Sequence, residues 1–115
     1  MKESDVERWT LMQCCGKFLD LHPELIHPSQ VEGRCQEVPA IFSDFLIEHG
    51  LKGGQVVELV FPHDQYLCPE SYPSEWRTNH YVLRVEGKGY DVGIDWTIAQ
   101  FDATSTVPLI FSFSV

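Results

Sequence analysis

One cysteine stands immediately before a helical pattern, in residues 33–39, Gly-Arg-Cys-Gln-Glu-Val-Pro. Pro39 lacks an N–H and suits only the first turn of a helix, which places the N-cap near Cys35 or Gln36. There the helix dipole and unpaired N–H groups favour the thiolate form of a cysteine, so Cys35 is a candidate nucleophile. Gly50 ends the helix as a C′ glycine would. The helix face that repeats between these limits is formed by Val38, Ile41, Phe42, Phe45 and Leu46.

Two consecutive strand patterns supply a histidine and a carboxylate to one face of a hairpin. Residues 79–86 and 90–96 each alternate apolar with polar side chains, and the glycines in 87–89 predict a tight turn. If both apolar sets share the buried face, paired residue numbers must add to an odd value, which loops of two or four residues satisfy. Either register makes His80 and Asp95 direct or diagonal neighbours on the opposite face.

A cysteine, a histidine and an aspartate can together attack an amide. His80 would take the proton of the Cys35 thiol and later protonate the leaving amine, while Asp95 would hold the imidazole in one tautomer. The backbone N–H of Cys35 or Gln36, with the Gln30 side chain as a further donor, would bind the oxyanion. The sequence leaves other partners open, which are Asp91 or Asp102 as the acid and His22, His27, His49 or His63 as the base.

The segments before the hairpin predict helices and one more strand. A helix is predicted over residues 5–21. Its buried face is predicted to be formed by Val6, Trp9, Met12 and Leu19, with Cys15 or Phe18 between them. Two His-Pro pairs make residues 22–34 a loop with a short helical turn at best. Residues 55–61 are rich in β-branched side chains and predict a buried strand.

The remaining segments complete an α+β fold. Residues 62–78 contain three prolines and form a long connection that could cover a cleft and help to set substrate preference. Alternation at Leu109, Phe111 and Phe113 predicts a last, half-buried strand. We therefore expect N-terminal helices packed on a mainly antiparallel sheet of about four strands. Residues 1–115 are expected to form a single domain, because no linker or internal repeat divides them.

Composition narrows the classes of partner. The 115 residues carry a formal net charge of −9, which argues against binding to nucleic acid or to an anionic membrane. No apolar run approaches the ~20 residues of a membrane span, and the polar N-terminal residues lack a Sec signal-peptide pattern. We therefore expect a cytoplasmic protein, or one that a specialised secretion system delivers into another cell. The four cysteines lack the spacing of a zinc site or a disulfide framework, so no metal and no cofactor is expected.

The segments around the three candidate residues resemble the papain-like superfamily. The likeness is closest to bacterial papain-fold glutamine deamidase toxins and effectors, with transglutaminase-like proteins beside them. It covers roughly residues 33–102 and rests on Gly33-x-Cys35 opening a helix, on the strand at 79–85 and on residues 90–101. In those families a similar Asp-x-Thr-x-x-Gln-Phe stretch, here residues 95–101, follows the catalytic histidine. The resemblance implies a compact papain-like fold and a triad of Cys35, His80 and Asp95.

The resemblance also implies a reaction class, attack on an amide that is commonly a glutamine side chain. The leading hypothesis is a cysteine-dependent amidohydrolase that deamidates protein glutamines through a thioester. Peptide cleavage and transglutaminase-type transfer to an amine are alternatives. Peptide cleavage differs in the amide that is attacked, and transfer differs in that an amine instead of water attacks the thioester. A catalytically silent papain-fold module that binds a partner protein is the other hypothesis. Trp96 stands where many members of these families have proline, which leaves the substrate open.

Overall fold

Helices precede an antiparallel sheet in the chain and pack against it. A computed structural model describes residues 3–59, 80–87, 89–102 and 104–113, so the connection predicted at 62–78 lies outside the described residues. The elements are α1 (Glu3–Leu21), α2 (Pro28–Val31), α3 (Glu37–Glu48), β1 (Gln55–Leu59), β2 (His80–Gly87), β3 (Tyr90–Asp95) and β4 (Leu109–Ser112). Short 3-10 turns occupy Pro23–Ile26 and Ile98–Gln100. The α+β architecture is confirmed.

The four described strands pair in the order β1-β2-β3-β4, each antiparallel to its neighbour. In the central pair, Leu83 lies opposite Ile94 and Val85 lies opposite Val92. These paired numbers add to an odd value, as predicted, and the register is the one that a two-residue loop produces. Because strand side chains alternate between faces, this register places Leu83 and Val85 of β2 and Val92 and Ile94 of β3 together on the helix side of the sheet.

Three buried aromatic rings lie at the centre of the core between helices and sheet. Phe18 of α1, Phe42 of α3 and Trp96, which follows β3, have ring centroids 4.8 to 4.9 Å apart. All three side chains are almost inaccessible to solvent. Tilted and edge-on ring pairs of this kind contribute about 0.5–1.5 kcal/mol each beyond the area they bury. The aromatic cluster therefore ties both long helices to the end of β3.

Helix α3 begins and ends where its sequence predicts. Gln36 is the N-cap, and Pro39 lies buried in the first turn. After the last turn, Gly50 adopts a φ of +84°, a left-handed conformation that glycine reaches without steric cost. The N–H groups of Gly50 and Leu51 donate back to carbonyls of the last turn, in the pattern of a Schellman motif.

The buried face of α1 differs from the predicted one. Trp9 and Met12, which the sequence predicts to be buried, are 61% and 52% exposed. A second stripe with helix spacing faces the core, formed by Leu11 and Cys14 together with Cys15 and Phe18, the two alternatives that the predicted face already included. Both stripes satisfy the same periodicity, so the choice depends on tertiary packing, in which Phe18 enters the aromatic cluster.

Burial in the sheet differs from the prediction in two places. The face away from the helices is more buried than predicted, and strand β1 is less buried than predicted. On the face away from the helices, Leu59, Val82 and Ile98 form a second buried cluster. In β1, Leu59 is the buried residue, whereas Val56 is 40% exposed. The prediction of a buried strand over residues 55–61 is therefore wrong for most of β1, which lies at the edge of the described sheet. A β-branched run does not distinguish an edge strand from a central one.

Candidate active site

His80 and Asp95 form a hydrogen-bonded pair inside the protein. The distance from His80 Nε2 to Asp95 Oδ2 is 2.8 Å, and the two side chains are 1% and 0% exposed. The register of β2 and β3 makes these residues diagonal neighbours on the face away from the helices. The predicted contact between this histidine and this carboxylate is confirmed.

The second oxygen of Asp95 is occupied as well. Oδ1 accepts the backbone N–H of Thr97 at 2.9 Å and the Thr97 hydroxyl at 3.3 Å. Gln100 Nε2 donates in turn to the Thr97 hydroxyl oxygen at 3.1 Å. The polar residues of the Asp-x-Thr-x-x-Gln stretch therefore form one hydrogen-bond network that links Gln100 to His80.

Apolar side chains border the imidazole. The ring of Phe101 packs edge-on against His80, with centroids 4.8 Å apart and planes inclined at 78°. Leu59 of β1 lies directly opposite His80 in the sheet and is buried. A histidine between these groups is restricted in its rotation, so the bond to Asp95 is held in one geometry.

Cys35 lies directly before the N-cap of α3 and is half-buried with a free thiol. The chain reaches it through a turn in which Gly33 has a φ of +79° and Arg34 N–H donates to Val31 O at 3.0 Å. The first turn of the helix then closes with a bond from Val38 N–H to Arg34 O at 3.1 Å. The N–H groups before that bond have no acceptor within the helix, so backbone donors lie next to Cys35.

Both segments that flank Cys35 pack against residues that follow Asp95. Before Cys35, α2 contacts the turn at Ile98–Gln100. After it, Phe42 of α3 contacts Trp96, with ring centroids 4.9 Å apart. Cys35 is therefore held between two contacts to the segment that carries the Asp95 network.

The thiol and the imidazole are not joined directly. Within the part of the chain that the structure describes, no hydrogen bond links Cys35 to His80. Such bonds are often long in a free enzyme and tighten when substrate binds. The contact of His80 with Asp95 is therefore shown, and the approach of the Cys35 thiol stays a prediction.

Gln30 and Gln36 lie at the surface on either side of Cys35. Gln30 belongs to α2 and is exposed, and its backbone carbonyl accepts a hydrogen bond from the Arg34 guanidinium at 3.4 Å. Gln36 is also exposed, and its side chain makes no capping hydrogen bond. Their roles as donors to an oxyanion stay predictions.

The alternative acids have other partners. Arg84 donates two hydrogen bonds to Asp91, at 2.9 and 2.6 Å, and these bonds hold the pKa of the Asp91 carboxyl below its usual range. Asp102 Oδ1 accepts the N–H and the hydroxyl of Thr104 at 3.0 and 2.7 Å. Asp95 is the carboxylate that bonds to the histidine of β2.

The alternative bases lie in different surroundings. His22 is about one-third exposed, and His27 and His49 are exposed at helix ends. His63 lies outside the described residues. Among the histidines that the structure describes, His80 is the one that combines burial with a carboxylate partner inside the protein.

The other cysteines of the described chain are structural. Cys14 and Cys15 lie in the buried stripe of α1, and burial raises the pKa of both thiols, that of Cys15 to about 12. A thiol with a raised pKa is a poor nucleophile near neutral pH. Cys68 lies outside the described residues.

Sequence reasoning gives Thr97 and Gln100 no role of their own, although it includes them in the stretch from 95 to 101. The available signal is the Asp-x-Thr spacing, because an aspartate side chain commonly accepts a hydrogen bond from the backbone two residues on. The structure adds the Gln100 side chain, whose position depends on the 3-10 turn.

Comparison of the chain with protein-family models, with curated proteins and with solved structures gave no match. A search of the described helices found none with the length and hydrophobicity needed to cross a membrane.

Proposed function

We propose that the protein is a cysteine-dependent amidohydrolase with a compact papain-like fold, in which Cys35, His80 and Asp95 form a triad. The observation that carries the proposal is the buried bond between His80 Nε2 and Asp95 Oδ2. An ionised carboxylate only accepts hydrogen bonds, so Nε2 holds the proton and Nδ1 keeps a lone pair. That lone pair is what a thiol requires from a general base.

The first half of the proposed reaction forms a thioester. His80 Nδ1 takes the proton of the Cys35 thiol, and the sulfur attacks the carbonyl carbon of the amide while electrons move to the carbonyl oxygen. When the oxyanion collapses, the carbon–nitrogen bond breaks and His80 gives its proton to the leaving nitrogen. Asp95 remains ionised and stabilises the imidazolium that exists between these two transfers.

The second half of the reaction releases the product. His80 removes a proton from a water molecule as the water oxygen attacks the thioester carbon, and the sulfur leaves as a thiolate. The proton on His80 then returns to Cys35. For a glutamine side chain, the nitrogen leaves as ammonia and the product is glutamate. If an amine replaces water, the same thioester yields a transamidated product.

Oxyanion stabilisation is assigned to the start of α3. The N–H of Cys35 or Gln36 belongs to the group of helix N-terminal donors that lack intrahelical acceptors. Donors fixed in advance at such a position lower the energy of a developing negative charge more than water does. The Gln30 side chain, exposed in α2, is the further proposed donor.

Protein glutamine is the leading substrate class, and this choice rests on the resemblance of residues 33–102 to papain-fold deamidases. Cleavage of a peptide bond uses the same steps with a peptide nitrogen as the leaving group. The reaction products distinguish these outcomes.

Mass spectrometry of a reduced mixture of glutamine-rich proteins tests the proposal. Incubation with wild-type protein should raise the mass of the substrate proteins by about one dalton per modified glutamine, because an amide becomes an acid. Incubation with Cys35→Ala should leave their mass unchanged. His27→Asn is the matched control, since His27 is exposed and should be dispensable.

If the proteins in the mixture are instead cleaved or cross-linked, and only when Cys35 is present, Cys35 remains the proposed nucleophile. The reaction would then be peptide hydrolysis or acyl transfer. If wild type and Cys35→Ala leave the mixture equally unchanged, the enzyme proposal is wrong. The hypothesis of a silent protein-binding module would then remain.

A further inference from the structure

We infer that Thr97 and Gln100 are positioning residues, which fix the Asp95 carboxylate and through it the proton-bearing nitrogen of His80. This inference rests on the proposed function, because a fixed imidazole matters only if the imidazole acts as a base. Neither residue is proposed to touch substrate.

The hydrogen bonds of the network can point in one direction only. Gln100 Nε2 is a donor and has no lone pair to offer, so the Thr97 hydroxyl oxygen accepts from it at 3.1 Å. The single hydroxyl proton of Thr97 is then free to point at Asp95 Oδ1, 3.3 Å away. The chain of donors runs from Gln100 through Thr97 to Asp95.

The carboxylate receives donors on both oxygens. Oδ1 accepts the N–H and the hydroxyl of Thr97, and Oδ2 faces His80 Nε2 at 2.8 Å. With Oδ1 occupied, the carboxyl group cannot rotate to exchange its oxygens without breaking two hydrogen bonds in a buried site. His80 is thereby fixed as the Nε2–H tautomer, with Nδ1 unprotonated when the ring is neutral.

The fold fixes the spacing that this network needs. The turn that follows Thr97 places Gln100 one 3-10 turn further on, with Gln100 N–H donating to Thr97 O at 3.1 Å. Ile98 and Ala99 inside the turn are buried, so the turn is attached to the core. Thr97 is itself 1% exposed, so bulk water has little access to its hydroxyl.

The chain contains a second Asp-x-Thr turn that serves as a matched control. Asp102 Oδ1 accepts the N–H and the hydroxyl of Thr104 in the same arrangement, but at the exposed surface. Thr104→Val and Thr97→Val therefore remove the same hydroxyl from the same kind of turn. Only the second change removes a hydrogen bond from the carboxylate that holds His80.

Two readouts test the inference on the full chain. The first is the ¹⁵N spectrum of histidine-labelled protein, in which His80→Asn identifies the His80 signals and the shifts report the tautomer. The second is the rate constant for alkylation of Cys35 by iodoacetamide at fixed pH near neutrality. Wild type should show the Nε2–H tautomer. Thr97→Val should give a mixture of the two tautomers and slow alkylation about two- to tenfold. This is the change in an equilibrium constant that corresponds to the loss of one hydrogen bond.

Thr97→Ser keeps a hydroxyl and should restore both readouts, and Thr104→Val should change neither. Gln100→Leu removes the donor that orients the Thr97 hydroxyl and should give a weaker form of the Thr97→Val result. It also replaces that variant if Thr97→Val does not fold, because Gln100 is only part-buried.

Failure of this inference and failure of the proposed function differ in the data. If Thr97→Val and Gln100→Leu fold and keep the wild-type tautomer and alkylation rate, the positioning role is refuted while the triad stands. If His80→Asn leaves the alkylation rate of Cys35 unchanged, the proposed function is refuted, and the tautomer spectrum alone decides the positioning of His80.

Discussion

Asp95→Asn changes the charge of the buried pair while it keeps the size of the side chain. Within the described residues, Asp95 accepts hydrogen bonds from His80 Nε2, Thr97 N–H and the Thr97 hydroxyl. Bonds to a charged group contribute about 1.5–3 kcal/mol and neutral bonds about 0.5–1.5 kcal/mol, so each loses roughly 1 kcal/mol. The side chains involved are almost fully buried, so solvent screens these hydrogen bonds very little. We expect the free energy of unfolding to fall by about 2–3 kcal/mol.

The same substitution should reverse the tautomer of His80. An asparagine that keeps its oxygen on Thr97 presents its NH₂ group to His80 Nε2, which must then accept. The imidazole proton moves to Nδ1, where it blocks transfer from a thiol. Loss of a positioned general base lowers rates by about 10²–10⁴-fold, so we expect at least a hundredfold loss in the proposed deamidation.

Urea denaturation and a turnover assay measure the two effects on one protein sample. Asp91→Asn is the matched control, because Asp91 lies on the same strand face and accepts two hydrogen bonds from Arg84. It should cost some stability and leave turnover unchanged. The reasoning is refuted if Asp95→Asn folds with turnover within threefold of wild type, or if Asp91→Asn lowers turnover as much.

Two further predictions use the shifted pKa values of the described chain. Because burial raises the pKa of Cys14 and Cys15, the latter to about 12, native protein at pH 7.5 should leave both unmodified by iodoacetamide, and mass spectrometry should find them alkylated only in urea. Burial and a hydrogen bond to Glu7 raise the pKa of Tyr90 from 10.0 to about 12. Its contribution to stability is therefore complete below pH 10 and is lost as pH rises towards 12. Between pH 10 and 12, the free energy of unfolding should fall less steeply with pH for Tyr90→Phe than for wild type. Equal slopes would contradict the raised pKa of Tyr90.

The strand pairing and the contact of His80 with Asp95 could be predicted because both follow from one requirement. A strand has a side-chain period of two, so burying the apolar residues of β2 and β3 on one face leaves a single parity of register. No knowledge of chemistry enters that step. The start and end of α3 were predictable for a similar reason, since Pro39 and Gly50 restrict the backbone locally.

The face of α1 could not be predicted because the sequence offers two helical stripes of similar hydrophobicity. Trp9 and Met12 belong to one stripe, and Leu11 and Cys14 belong to the other. The helical periodicity does not distinguish the two stripes. Packing favours the stripe that contains Phe18, because Phe18 belongs to the aromatic cluster.

The burial of the His80 face was also hidden from sequence analysis. Alternation suggests that His80 and Asp95 lie on a polar, solvated face of the hairpin. Instead Leu59 and Ile98 cover that end of the sheet together with Val82. Long-range contacts of this kind have no local signature, and they give the hydrogen-bonded pair of His80 and Asp95 low-dielectric surroundings, in which hydrogen bonds are strongest.

Asp95 and Trp96 connect the two halves of the proposed site because they are consecutive in the chain and contact different parts of the fold. The Asp95 side chain bonds to His80, whereas the Trp96 ring lies against Phe42. Phe42 belongs to α3, the helix that begins directly after Cys35. A shift of this chain segment would therefore move the imidazole of His80 and the helix that follows Cys35 together. This coupling gives a structural reason for a fully buried tryptophan directly after the carboxylate.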